Sequence, residues 1–198
     1  MNSRDKILKS ISANQPELVA LPTIDLDCVI HYDDNYTQCQ TVLESIGGKV
    51  ELISNISIIN NLLIAEKFNG TLIINTLNET DTQIVALTSL ELEVLEKVCI
   101  RGSIGVAENG AVWVYESKRM NKLLPFICQH LILVIEKSDI VPTMHHAYQK
   151  IDIGKEGFGV FIAGPSKTAD IEQSLVSGAH GARTATIYVL ESIINNNK

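Results

Sequence analysis

Short runs of apolar, β-branched residues alternate with segments of helical periodicity along this chain, and this alternation limits the folds that are open to it. The predicted strands lie at residues 27–32, 50–53, 71–75, 111–115, 130–135, 158–163 and 184–190. The predicted helices lie at residues 4–11, 35–46, 55–68, 141–151 and 168–177, with a partly helical stretch at 118–129 and either type of element at 93–100. Strands that are apolar on both faces predict an α/β fold in which a mostly parallel sheet is flanked by helices.

The division of the chain follows from its length and from one polar stretch. A length of 198 residues suits one domain with a sizeable core. Ile7, Leu8 and Ile11 share one face of a short helix, and a polar segment containing proline follows it. We therefore expect an N-terminal helix and linker at residues 1–22 and a single α/β domain at residues 23–194.

Charge and hydropathy argue against two classes of partner. A net charge of −7 disfavours sequence-independent nucleic-acid binding and binding to anionic lipid, since both need an excess of Lys and Arg. The longest uninterrupted apolar run, residues 131–135, is far shorter than the roughly 20 residues of a membrane-spanning helix. The first residues contain no apolar signal core. We expect a cytoplasmic protein without membrane insertion.

The four cysteines, Cys28, Cys39, Cys99 and Cys128, are scattered along the chain. None forms the C-x-x-C pair that zinc and iron–sulfur sites commonly use. In a cytosolic chain such cysteines usually behave as small buried hydrophobic residues. The sequence therefore predicts no metal site, no bound cofactor and no disulfide framework.

Residues 158–181 carry the clearest local signal, which we interpret as a strand, a tight turn, a helix and a glycine stop. Gly164 permits the sharp turn, and Ser166 and Thr168 are candidate caps of the helix that we predict at 168–177. Asp170 would lie in its first turn, where a negative charge suits the helix dipole. These roles can be purely structural. Alternatively, the free N–H groups of the helix, together with Lys167, bind a carboxylate or phosphate.

Three further side chains are candidates for chemistry. Glu108 lies between an apolar Val-Ala pair and the turn-forming Asn-Gly, so it is either a base or nucleophile or an acid that holds the turn. His180 lies in a glycine-rich loop, which favours a catalytic or ligand-binding role over a packing role. His130 opens a predicted strand and is expected to point into the same cleft. For each histidine, an ordinary hydrogen-bonded role is the competing interpretation.

Two stretches together resemble the lactate-utilization protein C family, whose domain is called the LUD domain. The first is Gly-Pro-Ser-Lys-Thr-Ala-Asp-Ile-Glu at residues 164–172, followed by Gly-Ala-His-Gly at 178–181. The second is Ala-Glu-Asn-Gly at 107–110, followed by Arg119, by Leu-Pro at 124–125 and by His130. The resemblance covers about residues 95–190. The family usually has Glu-Thr-Gly-Thr where this chain has Glu-Asn-Gly-Ala, so two hydroxyl groups are absent here.

The resemblance implies a fold similar to the superfamily of sugar-phosphate isomerases and coenzyme-A transferases. It also implies a component of a system that oxidises L-lactate to pyruvate, in which partner subunits carry the iron–sulfur clusters. The Glu-x-Gly at residues 108–110 is similar to the motif around the catalytic glutamate of coenzyme-A transferases. The alternatives are therefore an acyl or coenzyme-A transferase with Glu108 as nucleophile, and a non-catalytic scaffold for the iron–sulfur subunits.

These observations combine into one hypothesis about the site. Ligands of open α/β sheets bind near the carboxyl ends of the strands. We expect Glu108, His180 and the turn that carries Ser166 and Asp170 to converge on a cleft there. Glu108, His180 and Asp170 are the candidates for catalysis. The candidates for binding a small carboxylate are Arg119, His130, Gly164, Ser166, Lys167 and Thr168.

Overall fold

The computed structural model describes residues 2–20, 22–77, 88–115, 121–152, 154, 157–171, 174–178 and 180–191. The helices in these ranges are α1 (Ser3–Ala13), α2 (Asn35–Ser45), α3 (Ser57–Phe68), α4 (Ser89–Leu92), α5 (Leu124–Ile127) and α6 (Met144–Lys150). The strands are β1 (Lys49–Ile53), β2 (Ile73–Asn75), β3 (Lys97–Arg101), β4 (Ile104–Val106), β5 (Val112–Tyr115), β6 (His130–Glu136), β7 (Ile140–Val141), β8 (Gly159–Ile162), β9 (Lys167–Ile171), β10 (Ser174–Ser177) and β11 (Thr184–Leu190).

Five of the strands form a parallel sheet in the order β1-β11-β6-β3-β2. The central strand β6 is buried from Leu131 to Ile135, which explains why its sequence is an unbroken apolar run. The prediction of a mostly parallel sheet flanked by helices is therefore confirmed. Among the described helices, none is long and apolar enough to cross a membrane.

A second, four-stranded sheet was not anticipated from the sequence. Its order is β7-β4-β5-β8, with β4 and β7 parallel and the other pairs antiparallel. Only Gly102 and Ser103 separate β3 from β4, and a single 3-10 turn, Lys137–Asp139, separates β6 from β7. The paired strands β3 and β6 thus lead directly into the paired strands β4 and β7. The second sheet is in this way placed over one face of the first.

The core consists of layers on both sides of the parallel sheet. On one side, Val112 and Val114 of β5 join a cluster with Leu133 and Ile135 of β6 and with Leu43 of α2. On the other side, α3 covers the sheet through its buried residues Ile59 and Leu63. The outer face of the second sheet packs on α6, where Trp113 lies against Phe161. α1 buries none of its residues.

Two predicted elements are wrong. Residues 27–32 form no strand. A 3-10 turn, Leu26–Cys28, begins this segment. The Asp25 carboxylate caps the turn by accepting the Asp27 N–H at 3.0 Å. Residues 168–171 and 174–177 form no helix but belong to the strands β9 and β10, which pair antiparallel. A ten-residue helix is marginal by itself, whereas β9 and β10 pair their backbone groups with each other. Ser166 and Thr168 are therefore not helix caps.

Removing one core side chain tests the packing between the sheets. Leu133 of β6 is 1% exposed and lies between the sheets. We expect Leu133→Ala to lower the free energy of unfolding by about 2–5 kcal/mol, because the cavity that it leaves cannot fully collapse. The matched control Leu18→Ala, at a fully exposed position, should change it by less than about 0.5 kcal/mol. Equal effects in urea titrations would contradict this packing.

The cysteines allow a chemical test of the same fold. Cys28 is exposed, whereas Cys39, Cys99 and Cys128 are buried. Burial raises the pKa of Cys39 to about 11 and the pKa values of Cys99 and Cys128 to about 12. Because the thiolate is the reactive form, one thiol should react rapidly with an aromatic disulfide reagent near neutral pH, and all four should react after denaturation. Cys28→Ser should abolish the rapid phase; a rapid phase that persists would contradict the burial of the other three.

Candidate functional site

A cleft of about 240 Å³ opens beside β8 at one end of the contact between the two sheets. Its apolar walls include Phe126, Leu131, Val160 and Ile162, and the loops at residues 163–166 and 180–182 form its rim. Leu131 is near the start of β6, and residue 182 precedes β11. The cleft therefore lies at the amino ends of these parallel strands, which corrects the expectation of a site at their carboxyl ends.

Backbone hydrogen bonds bring the two loops of the rim together. The Ser166 N–H donates to the Ala182 carbonyl at 2.9 Å, and the Ser166 carbonyl accepts from the Gly178 N–H at 3.0 Å. Gly181 lies so close that an added Cβ would be 3.0 Å from the Ser166 Cβ. Gly164 has a φ of +69°, a left-handed conformation that glycine adopts at little cost. Gly181 thus permits the close approach of the two loops, and Gly164 permits the turn after β8.

Gly164, Ser166 and His180 all line this cleft, as the sequence motif suggested. Ser166 is half-buried and His180 is exposed. Among the described residues, neither the Ser166 hydroxyl nor the His180 ring has a hydrogen-bond partner. The arrangement therefore offers one hydroxyl and one imidazole at the mouth of an apolar cavity. Such a site suits a small molecule with a short apolar part and a polar head.

Other predicted binding residues lie elsewhere or are not described. Lys167 begins β9, and its Nζ would be 3.5 Å from a Cβ added at Gly47, so this side chain lies over the turn after α2. Thr168 of β9 is paired with Val176 of β10. Asp170 belongs to β9. Arg119 lies outside the described residues.

His130 lines a different pocket from the cleft in which we expected it. Its Nδ1 is 2.8 Å from the Thr184 hydroxyl, which joins the starts of the adjacent strands β6 and β11. The residues that line this pocket include Glu93, Glu96 and Arg183 in addition to His130. The described residues that line the apolar cleft do not include His130.

The Glu108 carboxylate is engaged at the start of α6. Its Oε1 accepts the Met144 N–H at 2.7 Å, and the Glu108 N–H donates to the Pro142 carbonyl at 3.1 Å. A carboxylate at this position satisfies one of the free N–H groups of the first helical turn. Glu108 is half-buried and is not among the described residues that line the cleft. Its geometry supports the structural alternative, an acid that holds a turn.

A pair of histidines near α6 did not stand out in the sequence. The rings of His31 and His146 meet edge to face with centroids 5.4 Å apart, and His146 Nδ1 is 2.9 Å from the Thr143 hydroxyl. Burial, followed by the neighbouring His31, lowers the pKa of His146 below its ordinary value. No spacing rule connects residues 31 and 146, so only the fold identifies the pair.

No group of three or more His, Cys, Asp or Glu side chains in the described ranges is placed to hold a metal ion.

The fold and the cleft define an α/β protein in which a parallel sheet and a smaller mixed sheet enclose a small loop-rimmed site. The sequence profile described as the LUD domain matches residues 65–190. The chain belongs to the LUD domain family. In structure it is similar to a DUF162 family protein from Deinococcus radiodurans, with a TM-score of 0.57, 14% identity, and coverage of 79% of this chain and 96% of that chain. This likeness supports the fold.

Curated relatives carry a more specific description of their own. The chain is 34% identical over 93 residues to Lactate utilization protein C of Geobacillus kaustophilus, which covers 44% of this chain and 39% of that protein. It is 32% identical over 108 residues to Lactate utilization protein C of Macrococcus caseolyticus, covering 48% and 47%. The resemblance to the lactate-utilization protein C family is thus confirmed. In each case the match spans less than half of the relative.

The contact between Glu108 and α6 leads to a stability prediction. Glu108→Ala removes the acceptor of the Met144 N–H and should lower the free energy of unfolding by about 0.5–2 kcal/mol, as the loss of a helix cap does. Glu108→Gln keeps an oxygen at the same place and should restore part of the loss. Urea titration measures both. If Glu108→Ala unfolds at the same urea concentration as the parent, the contact between the carboxylate and the Met144 N–H does not stabilise α6.

Proposed function

We propose that this chain is the LUD component of a lactate utilization system and that its cleft binds a small carboxylate such as lactate or pyruvate. The convergence of Gly164, Ser166 and His180 on one cavity carries the proposal. These residues belong to the stretch in which the sequence resembles the family. The lactate-utilization protein C sequences that it resembles supply the substrate class.

The chemistry of the cleft fits a short 2-hydroxy or 2-keto acid. Leu131, Val160 and Ile162 would bury the methyl group, which favours binding through removal of apolar surface from water. The Ser166 hydroxyl would donate to the carboxylate, and His180 would bond the hydroxyl or keto oxygen. We assign no part of the binding to Glu108, because its carboxylate already accepts the Met144 N–H.

Redox chemistry in this proposal belongs to partner subunits that carry iron–sulfur clusters. Cys39, Cys99 and Cys128 are buried and distributed among α2, β3 and the segment before β6, and Cys28 is the exposed one. Thiolate ligands of a cluster must converge on one point. The chain would therefore present or release the carboxylate while a partner transfers the electrons.

Calorimetric titration of the purified chain with lactate, pyruvate and an acyl-coenzyme A tests the proposal. We expect heat with lactate or pyruvate. Ser166→Ala should weaken the Kd roughly tenfold, since a lost hydrogen bond to a charged group corresponds to about 1.4 kcal/mol or more, and His180→Asn should weaken it less, since its partner oxygen is neutral. The matched controls Ser54→Ala and His145→Asn, both exposed and outside the cleft, should bind like the parent.

The other outcomes separate the alternatives. Heat with acyl-coenzyme A alone would replace the proposal with the transferase hypothesis. Absence of heat with all three compounds would replace it with the scaffold hypothesis. Equal weakening in the cleft variants and the control variants would show that the carboxylate binds away from this cleft.

A further inference from the structure

From the surface of α3 we infer that the chain forms a two-fold symmetric dimer through the outer face of this helix. Ile58, Leu62, Ile64 and Phe68 are 43%, 50%, 64% and 92% exposed there. Ile59 and Leu63 of the same helix are buried against the parallel sheet. A helix that is apolar on both sides is usually buried on both sides. The face defined by Ile58, Asn61, Leu62, Ile64, Ala65 and Phe68 is called here the α3 face.

Helical geometry places Asn61 at the middle of the α3 face. Residues three, four and seven positions after it, Ile64, Ala65 and Phe68, lie on the same side of the helix, and all four residues are exposed. Apolar side chains thus surround a single central amide. In paired helices, one polar residue at an otherwise apolar seam fixes the register and the number of chains.

The charges of the helix favour a second copy of this chain as the occupant. Glu66 and Lys67 are the only charged residues between Ser57 and Phe68, and Glu66 is paired with Lys97 of β3 within the chain. Across a two-fold axis a surface meets itself, so any unpaired charge near the axis faces a like charge. The α3 face avoids this repulsion, although the chain as a whole carries a net charge of −7.

The size of the α3 face fits the apolar centre of a symmetric interface. Its four large side chains expose apolar surface on the order of a few hundred Å², the size at which patches on soluble proteins mark interaction sites. A stable interface buries about 800 Å² per partner, with an apolar centre and a polar rim. The α3 face supplies such a centre, and Ser57, Asn60 and Lys67 lie at its margins.

Complementary charges at Asn61 test this inference by sedimentation velocity of the full chain over a dilution series. The parent should sediment as a dimer that dissociates on dilution. Asn61→Glu and Asn61→Lys should each weaken dimerisation at least about tenfold, because each places like charges across the axis. An equimolar mixture of the two variants should form the dimer again, since opposite charges then meet.

Control variants on another helix complete the test. Thr41 is exposed on α2, and Thr41→Glu and Thr41→Lys carry the same charges as the Asn61 variants. They should dimerise like the parent. A parent that is monomeric at every concentration would mean that another protein covers the α3 face, and it would overturn the inference. So would Asn61 variants that remain dimeric, a mixture that stays monomeric, or Thr41 variants that dissociate equally. Titration of the monomeric Asn61 variants with lactate shows separately whether the cleft binds its ligand. A failure of the dimer inference can therefore be distinguished from a failure of the proposed function.

Discussion

Apolar burial between the two sheets is the interaction on which the rest of the structure depends. Val112 and Val114 of the second sheet pack over Leu133 and Ile135 of the parallel sheet, and these side chains share one cluster. The contact is so close that a Cβ at Gly102 would lie 2.3 Å from Val112 and 2.7 Å from Ile135. Because the connections after β3 and β6 are short, the second sheet folds back over the face of the parallel sheet. Removal of this apolar surface from water is the main gain that stabilises the arrangement.

The cleft is a consequence of that packing. The edge strand β8 ends the second sheet, and beyond it the loops at residues 163–166 and 180–182 are joined by the hydrogen bond from Ser166 to Ala182. The sheets form the apolar walls, and the loops contribute the polar groups at the rim. The loops that the sheets hold thus bring a serine and a histidine 14 residues apart in the sequence to one cleft. Function on loops held by a fixed scaffold is a common arrangement.

The two proposed binding surfaces lie on opposite faces of the parallel sheet. The cleft includes Leu131, which belongs to the cluster on the side of the second sheet. α3 packs through Ile59 and Leu63 on the other side. A dimer formed through the α3 face would therefore leave both clefts open to ligands and partner subunits. Symmetry would place the two clefts on the outside of the assembly.

The sequence by itself determined the parallel sheet and the family, because apolar runs and glycine spacing are local patterns. It did not determine residues 168–177, where the local pattern suggested a helix and pairing between β9 and β10 decided otherwise. It also left two roles open for Glu108, and only the tertiary structure placed its carboxylate on the Met144 N–H. The physical reason is that backbone N–H and C=O groups must find partners, and a sequence does not show which ones. Residues 168–177 could satisfy theirs within a helix or between two neighbouring strands, and the strands form. The partner of Glu108 is 36 residues away, so only the folded chain brings it close.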